Sequence, residues 1–199
     1  METPVFLPVH CKGARRRDAT VIHWLNLHID QVSLLWLLPI LFLFHDFEEI
    51  LTVESWGIKY GSRVEDALPP GMRRSYRSML HMTTRNFAMD VLFVYILVVA
   101  VTCLAVFASF YWLYLAVLAV FLLHVFTHLG QSIYLKIYTP GVITAVLIAF
   151  PYSLYAFYRL LKDDIVSWTD VGWSLLLMVL LAPLAVWTLM RSRRQYKPV

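Results

Sequence analysis

VLFVYILVVAVTCLAVFASFYWLYLAVLAVFLLHVFTHLGQSIYL, residues 91–135, runs for 45 positions without an Asp, Glu, Lys or Arg. The hydrocarbon core of a bilayer takes about 20 residues of helix, so this block is too long for one crossing and long enough for two. The turn falls near Ser109-Phe110-Tyr111-Trp112, where aromatic rings suit the membrane interface. Charge-free runs recur at residues 137–158 and 171–190.

Working outward, 60% of the 199 residues are hydrophobic and only 15% are charged. A soluble domain of this size could not hide so much apolar surface. The pattern predicts an all-α, polytopic transmembrane bundle of about five spans, at residues 31–51, 86–108, 110–131, 140–161 and 171–190. The first is the weakest by hydropathy, being interrupted by Pro39 and closed by His45-Asp46-Phe47-Glu48-Glu49. One transmembrane domain over 31–190 thus lies between a basic N-terminal extension, 1–30, and a basic tail, 191–199.

Loop one, about 52–85, is the only sizeable extramembrane segment expected. Its Leu68-Pro69-Pro70-Gly71 turn precedes Met72, Tyr76, Met79 and Leu80 at helical spacing, with Arg73, Arg74 and Arg77 opposite. That pattern predicts a short amphipathic helix on the membrane surface. Cys11 and Cys103 offer neither a disulfide framework nor a CxxC site. The N-terminus lacks the order of a signal peptide.

The net charge of +4 comes from clusters at span ends, which read as membrane flanks and not as a nucleic-acid surface. Lys and Arg number 11 on the side of loop one, Lys136 and the tail, against 6 on the other. The positive-inside rule then puts loop one and the C-terminus in the cytoplasm.

Ionisable residues inside such spans are costly unless paired, metal-bound or wet. At about 100° per residue, Glu48 and Glu49 lie roughly 60° and 40° to either side of His45, so all three point into one lateral site. Asp46, about 100° away, is expected to face loop one or water. His124, His128 and Gln131 share one face of the third span through spacings of four and seven. Two histidines at i and i+4 can hold one metal ion. Chain direction alternates between spans, which brings the ends of spans one and three to the side where spans two and four begin. Arg85, Asn86, Asp90, Tyr138, Pro140, Gly141 and Thr144 stand at those beginnings.

The pattern suits a single divalent cation, zinc first and iron as the alternative, held by His45, His124, His128 and one glutamate such as Glu49. Glu48 or Glu49 would serve as general base. Gln131, Asn86, Asp90, Arg85 and Tyr138 are candidates for supporting or substrate contacts. The competing structural explanation is a buried ion-pair network in which Arg85 neutralises a glutamate and the histidines act as hydrogen-bond donors.

HDFEE, Trp56, HVFTHLGQ and YTPGVIT together resemble the HXXEE family of small, mainly bacterial membrane proteins of unknown function. The resemblance implies that His45, Glu48 and Glu49 are functional, with His124, His128, Gln131, Tyr138, Pro140 and Gly141 as further characteristic positions. It implies no reaction. A looser similarity to prenyl-protein-processing intramembrane proteases, which carry an arginine four residues after a Glu-Glu pair, fails at Val53.

The expectation is therefore a metal-dependent membrane hydrolase in the bacterial plasma membrane, acting on a lipid or a membrane-embedded peptide. A non-enzymatic ion or metal carrier or binding protein is the competing class. A di-iron lipid oxygenase is the third reading, and Asp46 or Asp90 would supply its extra carboxylates.

Overall fold

The computed structural model describes residues 21–69, 73, 77 and 80–193, with the side chains of 181, 182 and 184–193 outside the description. Six helices and no strand occur among these residues: α1 (Val21–His28), α2 (Gln31–Ala67), α3 (Thr84–Ala108), α4 (Tyr111–Leu135), α5 (Val142–Lys162) and α6 (Trp168–Arg193). The first belongs to a unit of its own, in which the Trp24 and His28 rings stack at 4.2 Å. The rest form the second unit.

Three helices, α3, α4 and α5, are long and apolar enough to cross a membrane, consistent with a membrane protein. The expected count of about five spans is not confirmed. α2 carries the His45–Glu49 charges where its apolar run should continue, and the described apolar part of α6 covers only Trp168–Leu180. Loop one also differs from expectation. α2 continues without a break to Ala67, 37 residues in all, or about 55 Å at 1.5 Å per residue. No proline interrupts it after Pro39, so the helix does not stop where hydropathy does. The surface helix expected from Met72, Arg74, Tyr76 and Met79 lies outside the described residues, as does the N-terminal extension up to residue 20.

Pro39 removes an N–H that would have bonded the carbonyl of Leu35. Two tyrosines from other helices bring hydroxyls to the carbonyls of this turn. The Tyr114 hydroxyl lies 3.3 Å from Leu35 O, the Tyr152 hydroxyl donates to Leu34 O at 3.0 Å, and the two phenols are 2.9 Å apart. Both rings are buried, as are Leu34, Leu35, Leu38 and Leu118, and α2, α4 and α5 meet through this pair.

α2 packs along α3 and α4 along α6, while α3 also contacts α4. Gln31 Nε2 donates to Tyr111 Oη at 2.8 Å, so α2 and α4 start at the same level and run parallel. His45 stands 14 residues into α2 and His124 stands 13 into α4, each about 20 Å along its axis. The alternation of chain direction thus delivers both motifs to one depth.

Other contacts fix the helix ends. Glu54 Oε2 accepts from Thr84 N at 2.7 Å, which ties the outer half of α2 to the first turn of α3. Ser167 and Asp170 form a reciprocal cap on α6: the Asp170 carboxylate accepts from Ser167 N and Oγ, and Ser167 Oγ accepts from Asp170 N. Trp112 Nε1 donates to the same carboxylate at 2.9 Å. Between α4 and α5 the chain is pinned by Trp56, whose Nε1 donates to the carbonyl of Tyr138 at 2.6 Å.

Candidate metal centre

Four side chains converge where α2, α4 and the first turn of α5 meet. Glu49 Oε1 lies 2.8 Å from His128 Nε2, 3.6 Å from His124 Nε2 and 3.7 Å from His45 Nε2. The Nε2 atoms of His124 and His128 are 2.8 Å apart. One ligand atom from each of the four lies within 4.8 Å of every other, the arrangement that could hold a metal ion. A tetrahedral zinc with bonds of about 2.0–2.1 Å keeps its ligand atoms about 3.3 Å apart, and the observed separations bracket that value.

The donor chemistry fits as well. His45 is buried, and its Nε2 has no hydrogen-bond partner although it faces a carboxylate. Buried polar atoms are nearly always paired, so an orphan nitrogen facing a carboxylate is a group that a cation would satisfy. Glu49 and His128 are also closed in, at 10% and 8% side-chain exposure, whereas His124 is 41% exposed and forms the open edge.

Gly141 explains how α5 approaches so closely. Its φ of +82° lies in the left-handed region, and a Cβ there would stand 2.7 Å from Glu49 Oε1 and 2.9 Å from His128 Cε1. Only glycine satisfies both the backbone and the contact. A single π-helical turn, Ala145–Ala149, follows directly after Thr144.

The structure separates the two adjacent glutamates. Glu49 is in the cluster. Glu48 turns to the start of α5, where its carboxylate accepts from Tyr138 Oη at 2.6 Å, Thr144 N at 2.7 Å, Thr144 Oγ1 at 2.6 Å and Ile143 N at 3.3 Å. Tyr138 is thereby brought to the site as a support of Glu48. Burial and this bond push its phenol up to about 12, so it remains a donor at neutral pH.

None of the other expected residues is one of the four. Gln131 is half-buried and makes no hydrogen bond to them. Asn86 and Asp90 occupy the first turns of α3, where Asn86 N donates to the capping Thr83 hydroxyl at 3.3 Å. Arg85 is exposed and pairs with neither Glu48 nor Glu49 among the described residues. Arg85 thus takes no part in the competing ion-pair network, whereas the histidine contacts that explanation includes are present at Glu49. Asp46 corrects a second expectation: it is buried, at 5% exposure, with Oδ2 unpartnered. Thr144, the threonine of YTPGVIT, proves to be the link between Glu48 and His45.

A protein-family model described as "Protein of unknown function with HXXEE motif" matches residues 36–156. The chain belongs to the HXXEE family. The match spans all four converging residues and the Glu48 cap, so the family signature reads in space as one histidine in the cluster, one helix-bound glutamate and one glutamate in the cluster. No curated protein and no solved structure matches this HXXEE chain.

Proposed function

We propose that this HXXEE protein is a metal-dependent integral-membrane hydrolase of the bacterial plasma membrane, acting on a lipid or a membrane-embedded peptide. The observation that carries this reading is the meeting of three imidazole Nε2 atoms with Glu49 Oε1 inside an apolar bundle. Three imidazoles suffice for a catalytic ion, zinc first and iron as the alternative, which frees Glu49 as the base. A dication held by the three imidazoles would supply Lewis acidity, acidifying water and polarising a carbonyl or phosphoryl oxygen. Glu49 takes the proton that water gives up on attacking the substrate and returns it to the leaving oxygen or nitrogen as the scissile bond breaks. His124, on the open edge, marks the side from which substrate enters.

Two features favour this over the other readings. A carrier needs polar groups through the thickness of the membrane, whereas Thr102 and Ser174, both buried, bond their own helix backbone. A di-iron site needs about four carboxylates, and the cluster has one, with Glu48 committed to α5.

The test is turnover. Zinc-loaded protein in mixed micelles is incubated with total membrane lipid and with transmembrane peptides, and the products are read by mass spectrometry. Hydrolysis lost with chelator, with Glu49→Gln and with His128→Ala is the expected result. Zinc-loaded protein that cleaves neither class, or a Glu49→Gln variant of full activity, would overturn the proposal.

A further inference from the structure

We propose that Glu48 is a positioning residue which, through the hydroxyl of Thr144, fixes His45 as the Nδ1–H tautomer with its Nε2 lone pair aimed into the cluster. The tautomer follows from hydrogen bonds alone; its use in metal binding rests on the reading proposed above.

Thr144 Oγ1 has three polar neighbours: Glu48 Oε2 at 2.6 Å, Gly141 O at 3.3 Å and His45 Nδ1 at 3.0 Å. A hydroxyl carries one hydrogen, and a carboxylate and a carbonyl can only accept it. That hydrogen is committed to them, so toward His45 the hydroxyl must itself accept. Nδ1 therefore carries the ring proton. A neutral imidazole has only one N–H, which leaves Nε2 as a bare acceptor.

The buried, unpartnered His45 Nε2 facing Glu49 Oε1 at 3.7 Å is the consequence. Two lone-pair groups confront each other away from water, which is unfavourable until a cation lies between them. His124 repeats the logic. Thr127 Oγ1 gives its hydrogen to His124 O at 2.7 Å and lies 3.4 Å from His124 Nδ1, so that ring also turns an unprotonated Nε2 inward. Metal-bound histidines are commonly oriented this way by a partner on the other ring nitrogen.

Glu48 suits the role because it is immobilised. Its two oxygens receive four donors, three of them from the first turn of α5, where backbone N–H groups lack helical partners. The adjacent glutamates thus divide the work: Glu48 sets a ligand's orientation and Glu49 faces the ligands.

The experiment reads the tautomer without metal. Full-length protein labelled with 15N-histidine is purified in detergent and stripped of metal. Long-range 1H–15N correlation then assigns each ring, with His45→Gln identifying the His45 signals. Wild type and Thr144→Ser should show His45 as Nδ1–H. Thr144→Val should lose that preference, and Glu48→Ala, which leaves the Thr144 hydrogen only the longer contact to Gly141 O, should weaken it. In zinc titrations Thr144→Val should bind about 10–100-fold more weakly, the usual range for such orienting partners, with Thr144→Ser restored to near wild type. A wild-type His45 found as Nε2–H, or a Thr144→Val variant with unchanged tautomer and affinity, would overturn the proposal. If wild type showed Nδ1–H and bound no zinc, the metal reading would fall and the relay would stand.

Discussion

Replacing Gly141 by alanine tests how tightly α5 is pressed onto the cluster. The backbone cost comes first: at φ +82° an L-residue loses about 1–2 kcal/mol relative to glycine. The contact is more damaging. The new methyl would stand 2.7 Å from Glu49 Oε1, 2.8 Å from Glu49 Cγ and 2.9 Å from His128 Cε1. Carbon contacts relax only near 3.5 Å, so Glu49 and His128 must each retreat by about 0.6–0.8 Å. Metal sites tolerate errors of about 0.2 Å in ligand distance. Zinc affinity is accordingly expected to fall at least 10–100-fold, as when an orienting partner is removed, together with the modest loss of apoprotein stability. The assay is competition against a chelating dye in detergent, beside thermal unfolding of the metal-free protein. Gly130→Ala is the control, because its added Cβ meets nothing within 4 Å, and both readings should stay at wild type. A Gly141→Ala protein that binds zinc as wild type would refute the contact from which the site has been built.

Two further perturbations probe the scaffold. Tyr114→Phe strips a donor from the carbonyls around Pro39, which should cost about 1–3 kcal/mol for an unsatisfied buried acceptor. Adding Pro39→Ala restores the backbone N–H, and unfolding in mixed micelles should recover part of that loss. At the opposite end, the bonds from Ser167 and Trp112 hold the Asp170 carboxyl below its ordinary 3.8. A depressed folded pKa means the cap is complete above 3.8 and is lost as pH falls through the folded value. The Trp112 indole N–H resonance should therefore shift only below that pH and be pH-insensitive in Asp170→Asn.

The i, i+4 spacings made half of this site readable in the sequence, since His45 with Glu49 and His124 with His128 each share a helix face. Alternating chain direction supplies the depth that joins them, and in the structure α2 and α4 start side by side at Gln31 and Tyr111. Spacing could not separate Glu48 from Glu49, because both lie within about 60° of His45 on the helix wheel. What divides them is the first turn of α5, an unpaired set of N–H groups that exists only after packing. Asp46 was misplaced for the same reason: the wheel gives direction but not what the neighbouring helix covers. The extent of α2 is not legible in hydropathy, which reports where apolar residues end; the helix continues because no proline stands between Leu51 and Ala67, and Gly57 and Gly61 are tolerated within it. The tyrosine pair that relieves Pro39 joins residues 79 and 118 positions away in sequence, beyond any local pattern.

The central claim is that His45, His124 and His128 hold a metal ion with Glu49 facing it, and metal content tests it most directly. Protein purified without chelator, reloaded with zinc and passed through a desalting column is measured by elemental mass spectrometry, wild type beside His124→Ala and His45→Ala. One zinc per chain in wild type, and well under half that in each variant with the helical spectrum unchanged, is the predicted result. Wild-type protein that leaves the column without metal, or variants that retain it in full, would contradict the account.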